Sequence, residues 1–451
     1  GGIAADGDAG KVDLFRYVAW LATTRHEAIA DAANAPEGLT GYDAMKERAR
    51  LRNAMLSLSG RDIGDLPSVA DPARRDRAAR DFRYFCEAYF PQTFHLKWSD
   101  DHLKVIAKIE QAVLEGGRFA MAMPRGSGKT SLCEIACLWA LVYGHRDFVA
   151  LVGSDEEHAA DMLESIKVEL ESNEILAGDF PEVCHPIRSL EGIHQRASGQ
   201  LYQGKQTHIG WTAREIVLPT IAGSVASGAI IRVAGITGRI RGMKHKRVDG
   251  VSVRPSLVLI DDPQTDESAR SPSQCANRER ILAGAILGMA GPGRKIAGLM
   301  TLTVVRPDDL ADRILDRDKH PQRHKMVYAF PKSEKLWAEY ARVRAEGLRA
   351  DRGIIDATAF YCKHRTAMDE GAVIAWPERF NHDELSAVQH AMNLRLQNEA
   401  AFFAEYQNEP LPEVEVADDL LSADQIAAKV NGHARGLVPL GCSHLTMFVD
   451  V

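Results

Sequence analysis

The feature that most restricts this chain is the run Met123-Pro124-Arg125-Gly126-Ser127-Gly128-Lys129-Thr130, which follows an apolar stretch and opens an amphipathic one. Glycines let backbone N–H groups crowd around phosphate oxygens, and the start of a helix adds its positive end. Lys129 is of a length to reach β- and γ-phosphates, and the Thr130 hydroxyl can hold magnesium. Pro124, Arg125, Gly126, Ser127, Gly128 and Ser131 complete the candidate phosphate-binding set. Met123 stands where the usual pattern has a further glycine. Arg125 is positioned to touch a γ-phosphate; the alternative is a solvated arginine. A glycine-rich turn that happens to precede a helix is the alternative for the whole run, and it leaves the Lys–Thr pair unexplained.

The text around the loop predicts a parallel α/β sheet. Four short apolar runs with few charges, 118–123, 148–152, 257–260 and 295–303, read as strands buried on both faces. Between them lie helical patterns, one from Thr130 to a stop at Gly144 and one from Glu156 with Ala159, Met162, Leu163, Ile166 and Leu170 on one face. Residues 13–60 alternate helical patterns (14–30 and 42–58) with polar breaks. Residues 65–76 read as a linker, and an aromatic-rich helix, 78–90, ends at Pro91. Beyond Pro331 the pattern is helical again, at 337–348 and 385–406. A Pro- and acid-rich linker at 410–419 and a last apolar run at 445–451 follow.

The strand 257–260 runs into Asp261-Asp262-Pro263, delivering two carboxylates to the C-terminal edge of the sheet, where such folds bind ligands. Asp261 is the candidate magnesium ligand. Asp262 is the candidate for orienting and polarising an attacking water. A turn opened by Asp–Pro is the alternative. If the run ending in Thr301-Leu302-Thr303 lies beside this strand, its hydroxyls face the γ-phosphate as sensors; β-propensity alone also explains threonine there. The densest positive cluster, GRIRGMKHKR at 238–247, suits DNA phosphates or a nucleotide-sensing arginine, with Arg241 the best candidate, or a solvated loop.

Bulk properties set limits. With 451 residues the chain exceeds one ordinary domain, and a net charge of −7 confines any nucleic-acid contact to a local patch. No stretch is long and apolar enough for a membrane helix. Seven cysteines, with no CxxC pair, do not form a disulfide or zinc pattern, and Cys133 and Cys137 read as core residues. That usage suits a reducing cytoplasm. His320 and His324, in HPQRH, read as solvated.

Taken in order, AMAMPRGSGKT, FVALVGSDEEHAADMLESIKVELESNE, GITGRIRGMKH, LVLIDDP, GLMTLT and FFAEYQNEP resemble the large terminase subunit of tailed bacteriophages. The resemblance spans about 94–410. It implies an ATP-hydrolysing DNA-packaging motor: a helical N-terminal region (1–92), a P-loop ATPase core of the ASCE type (93–331) and a small helical lid (332–410). Lys129 and Thr130 match the phosphate-loop pair, Arg125 the loop arginine, Asp261 the magnesium aspartate, and Thr301 and Thr303 the coupling motif. The family usually has glutamate where Asp262 stands. The implied cofactors are ATP and Mg²⁺. The implied partners are double-stranded DNA, a small terminase subunit, the procapsid's portal protein and further copies in a ring, usually of five, in the host cytoplasm and with no membrane.

After a linker (411–440), residues 441–451 resemble the first strand of an RNase H-like nuclease domain. Asp450 would be one ligand of an incomplete Mg²⁺ or Mn²⁺ site. A nuclease of this type needs several carboxylates, so the chain as given is expected not to cut DNA. Three other readings stay open from the residues alone: a helicase-like translocase, a P-loop phosphotransferase acting on a small molecule, and a protein that binds nucleotide with little turnover.

Overall fold

The computed structural model describes residues 62–412, except 239, 287, 292, 294 and 318–321, together with residues 42, 45–51 and 428. The expected helix at 14–30, most of 42–58 and the strand carrying Asp450 lie outside the described residues.

The centre is an eight-stranded sheet. Its strands are β1 (Arg118–Ala122), β2 (Phe148–Gly153), β3 (Gly210–Trp211), β4 (Glu215–Val217), β5 (Ile230–Gly235), β6 (Leu257–Asp261), β7 (Ala297–Leu302) and β8 (Gln322–Arg323). They lie in the order β8-β1-β7-β6-β2-β5-β4-β3. The first six are parallel, and β4 and β3 add an antiparallel edge. The fold is therefore α/β, with a mostly parallel sheet flanked by helices.

Alternation along the strands divides the core in two. Val149, Leu151, Ile231, Val233, Leu257 and Leu259 face one apolar cluster, and Phe148, Ala150, Val152, Ile230, Val258 and Ile260 face another. The first cluster is roofed by α1 (Pro72–Ala78), α2 (Phe82–Tyr89), α3 (Asp100–Glu110), α4 (Lys129–Val142), α5 (Glu156–Ser172), α6 (Glu174–Asp179) and α7 (Pro181–Arg188). The second is covered by α8 (Pro272–Ile281), by Leu282, Ile286, Met289 and Ala290, and by the start of α9 (Leu310–Arg317).

α4 runs through the first cluster with every residue from Ile135 to Val142 buried. An apolar face all round suits a helix enclosed by others. Gly144 ends it at φ 66°, a left-handed turn that glycine adopts without strain. Trp139 of α4 packs on Phe82 with ring centroids 5.2 Å apart, and its indole N–H donates to the Ala78 carbonyl at 2.9 Å. Helices α1 and α2 thus share the core of the sheet. The expected linker at 65–76 is corrected in part: α1 begins at Pro72, where Asp71 accepts from the Arg74 N–H at 2.9 Å and caps it.

Residues 327–409 build a smaller unit of β9 (Val327–Ala329), β10 (Val373–Ile374), α10 (Glu334–Arg349), α11 (Ile355–Asp369) and α12 (Ala387–Gln397) around Trp337, Tyr340, Tyr361 and Met368. Among the described residues no helix is long and apolar enough to cross a membrane.

Candidate functional site

β7 lies between β1 and β6, pairing Met121 with Thr301 on one side and Asp261 with Thr301 on the other. The loop that leaves β1 and the acids that end β6 consequently open into one space. That space is a cleft of about 420 Å³ lined by Arg125, Gly126, Gly128, Lys129, Thr130, Asp262, Gln264, Asp266, Thr303, Val305 and Glu405. Gly126 (φ 72°) and Gly128 (φ 79°) both hold left-handed backbone, and Gly128 directly precedes α4.

The two adjacent acids have different surroundings. Asp261 is 1% exposed. The Thr130 hydroxyl donates to its Oδ2 at 2.6 Å, the Thr301 hydroxyl donates to its Oδ1 at 2.5 Å, and His158 Nε2 lies 3.5 Å from Oδ2. Burial alone would raise the Asp261 carboxyl. The contacts from His158, Thr130 and Thr301, with the charge of Lys129, outweigh burial and hold it below the usual carboxylate range. The same contact raises the His158 imidazole above its ordinary value.

Asp262 stands in the cleft at φ 40°, a conformation aspartate tolerates better than most residues. Its Oδ2 is 2.5 Å from the Lys129 ammonium and accepts from the Thr303 hydroxyl at 3.0 Å. Lys129 also contacts the Thr303 hydroxyl. Gln264, which the sequence reading passed over, donates to the Thr303 carbonyl at 2.9 Å and to Asp309 at 2.9 Å, fastening the ends of β6 and β7 together.

Arg125 points across the mouth of the cleft. Its guanidinium donates to Glu405 at 2.5 Å, and its backbone N–H donates to the Glu405 carbonyl at 2.8 Å. Glu405 belongs to FFAEYQNEP, which also supplies Asn408. Asn408 accepts from the Val304 N–H at 3.0 Å and donates to the His324 carbonyl at 2.8 Å.

Beneath the loop the contacts are closed. His102 Nε2 lies 3.0 Å from the Ser127 carbonyl and its Nδ1 2.7 Å from the Ser99 hydroxyl. Burial lowers its pKa, and the neutral Nε2–H tautomer satisfies both contacts. Arg379, from the segment after β10, donates to the Arg125 carbonyl at 2.5 Å. Gly126 is favoured by its left-handed backbone, φ 72°, and a Cβ there would also press the tip of the Arg379 side chain at 2.9 Å.

The candidates do not all converge. Ser131 lines a separate cavity of about 70 Å³ with Glu134 and Glu169. Pro124 and Ser127 line the underside with His102. Thr301 is spent on Asp261, and only Thr303 reaches the cleft. Arg241 is exposed on the segment after β5 and is not among the cleft residues. The reading of His324 is corrected: it is 4% exposed, with Nδ1 3.1 Å from Asp101. Cys133 and Cys137 are buried and free, as core residues.

His158, His102, Gln264 and Arg379 were not singled out from the sequence. The two histidines carried a usable signal: each lies three residues after a helix-capping residue, His102 after Ser99 and His158 after Asp155, and so has a fixed place on the first turn of its helix. No known protein-family model matches the chain, and no curated protein matches it.

Among the described residues no group of three or more His, Cys, Asp or Glu side chains is arranged to hold a metal. A nucleotide-bound magnesium needs less, since it commonly takes one or two protein oxygens and fills the rest with phosphates and water. Thr130 Oγ1 and Asp261 Oδ2, 2.6 Å apart, are hard oxygen donors of that kind.

Proposed function

We propose that this chain is the ATP-hydrolysing motor part of a viral DNA-packaging protein, similar to the large terminase subunit of tailed bacteriophages and built on a P-loop core of the ASCE type. The observation that carries the proposal is the meeting of Lys129 and Thr130 with Asp261 and Asp262 in one open cleft, although 131 residues separate Thr130 from Asp261. The strand inserted between the loop strand and the acid strand is in keeping with the ASCE type.

In this reading the backbone of 126–130 and the Lys129 ammonium take the β- and γ-phosphates. Thr130 and Asp261 hold magnesium, which when bound neutralises phosphate charge and polarises the γ-phosphoryl group. Lys129 now rests on Asp262. An arriving triphosphate competes for the ammonium and frees the carboxylate to accept a hydrogen bond from water. Thr303 steadies that carboxylate through its hydroxyl. A second acid beside the lysine supplies the hydrogen-bond acceptor that a hydrolase needs for its attacking water. Arg125 is available to the γ-phosphate once it leaves Glu405.

Double-stranded DNA, a small terminase subunit, the portal protein and a ring of copies in the host cytoplasm complete the proposal, as does a metal-dependent nuclease beginning near Asp450 in a longer protein.

The test is ATP turnover with and without duplex DNA, in the parent and in Asp262→Asn. Duplex DNA should stimulate the parent. The substitution should cut turnover roughly a hundred- to ten-thousand-fold with ATP binding kept. Unchanged turnover in Asp262→Asn, or no ATP binding by the parent, would overturn the reading. Stimulation by single strands with strand separation would point to a helicase instead.

A further inference from the structure

We propose that His158 is a positioning residue for Asp261, tethering the metal-binding carboxylate to α5. The inference rests on the nucleotide reading above, since it concerns how the magnesium ligand is held.

Asp261 is approached from three separate elements. Thr130 comes from α4 and Thr301 from β7, each through a hydroxyl. His158 comes from the first turn of α5, with Nε2 3.5 Å from the same oxygen that Thr130 addresses. A carboxylate that must present one lone pair to a metal is useful only in one rotation, and contacts on both oxygens fix it.

The placement of His158 is built rather than incidental. Asp155 caps α5 by accepting from the His158 backbone N–H at 2.8 Å, which sets the first turn. The Ser154 hydroxyl donates to Asp155 at 3.0 Å and lies 3.4 Å from His158 Nδ1, facing the ring from behind. Turning that one proton to Nδ1 instead makes Nδ1 the acceptor and leaves Nε2–H facing Asp261.

The sheet makes room for this turn. A Cβ on Gly153, at the end of β2, would lie 2.9 Å from the Ala159 nitrogen and 3.0 Å from His158 Nδ1. A Cβ on Gly235, at the end of β5, would lie 2.5 Å from the Glu156 nitrogen. Neither glycine has positive φ. Both are needed for close approach: two neighbouring strands end in glycine so that α5 can seat His158 against β6.

The test uses Mn²⁺ as a paramagnetic probe, titrated into the protein with ADP and followed by electron paramagnetic resonance. ADP affinity in EDTA is measured alongside by calorimetry, for the parent, His158→Ala and His158→Gln. In His158→Ala, Mn²⁺ affinity in the ADP complex should fall about ten- to a hundred-fold, the usual loss for an outer-shell partner. Metal-free ADP affinity should stay within about twofold, and His158→Gln, which keeps an N–H donor, should recover much of the loss. A purely structural role would lower both affinities together and would not be rescued, which would overturn the proposal. Equal Mn²⁺ affinity in parent and His158→Ala would overturn it while leaving the nucleotide reading intact. A parent that binds no ADP under either condition would overturn both.

Discussion

The glycine-rich loop at 124–129 has two sides, and they are held by different kinds of contact. Above it, charges face an open cleft and are paired with one another: Lys129 with Asp262, Arg125 with Glu405. Below it, the contacts are buried or made to backbone, His102 to the Ser127 carbonyl and Arg379 to the Arg125 carbonyl, and the helix that the loop opens is anchored further along by Trp139 to the Ala78 carbonyl. The Arg125–Glu405 pair, with its arginine largely exposed, is worth little and easily exchanged, whereas the more enclosed Lys129 gives up Asp262 only to another anion. A buried group that loses its partner carries its full desolvation cost. The groups that the proposed turnover would ask to change partner sit on the exchangeable side, and the groups that hold the backbone sit on the other.

Three substitutions bear on this division. Trp139→Ala should have the largest effect, destabilising the fold by about 3–5 kcal/mol in urea unfolding, because it empties a closed aromatic site. A loss below about 1 kcal/mol would mean the underside is not the rigid one. His102→Gln should come next, at about 1–3 kcal/mol at pH 7.5, from the unsatisfied groups it leaves.

The same histidine makes a pH prediction. Its folded pKa lies below its ordinary value, with His324 and Arg379 adding to the burial effect and Asp101 opposing it. The unfolded chain therefore binds the proton first, and stability declines as pH drops through about 6.5. Buried His145 acts in the same direction and His158 in the opposite one. Both remain in His102→Gln, so a shallower acid-side decline in melting temperature isolates the His102 part. An identical slope in the two proteins would refute it.

Glu405→Gln should have the smallest effect. Arg125 is 67% exposed in its pair with Glu405, so releasing it should change stability by under about 1 kcal/mol. ATP should bind about two- to fivefold more tightly, because its phosphates no longer compete with a carboxylate. Weaker ATP binding would show that the pair supports the site rather than restraining it.

How much of this was legible follows from the same physics. Strands buried on both faces leave unbroken apolar text, so β2, β6 and β7 were readable, and with them the acids that β6 delivers. β5 was missed because Arg232 interrupts its apolar run. That charge is neutralised across the ladder, where Arg232 pairs with Glu215 and donates to its carboxylate at 2.6 Å. No single-strand pattern reveals such a partner. α11 was missed for a related reason: its unit is held by polar bonds as well as apolar contacts. Gln389 donates to the Thr358 hydroxyl of α11 at 2.9 Å, Tyr340 to Asn393 at 2.9 Å, and Asn393 to Glu384 at 2.8 Å. Periodicity reports where hydrocarbon goes, not where amides go. In the site, motif chemistry located the cleft residues Lys129, Thr130, Asp261 and Asp262, while the contacts of His102 and His158 depend on folds of the chain that bring distant segments together.

The strand between the loop and the acids has a mechanical consequence. β7 is zipped to β1 and to β6 through five residue pairs on each side, so the two jaws of the cleft stand a fixed two strand-widths apart, about 10 Å. A caliper locked at that gauge cannot pinch its contents by sliding. Any stroke has to be drawn from parts attached outside the gauge, the loop itself and the 402–409 run that grips it.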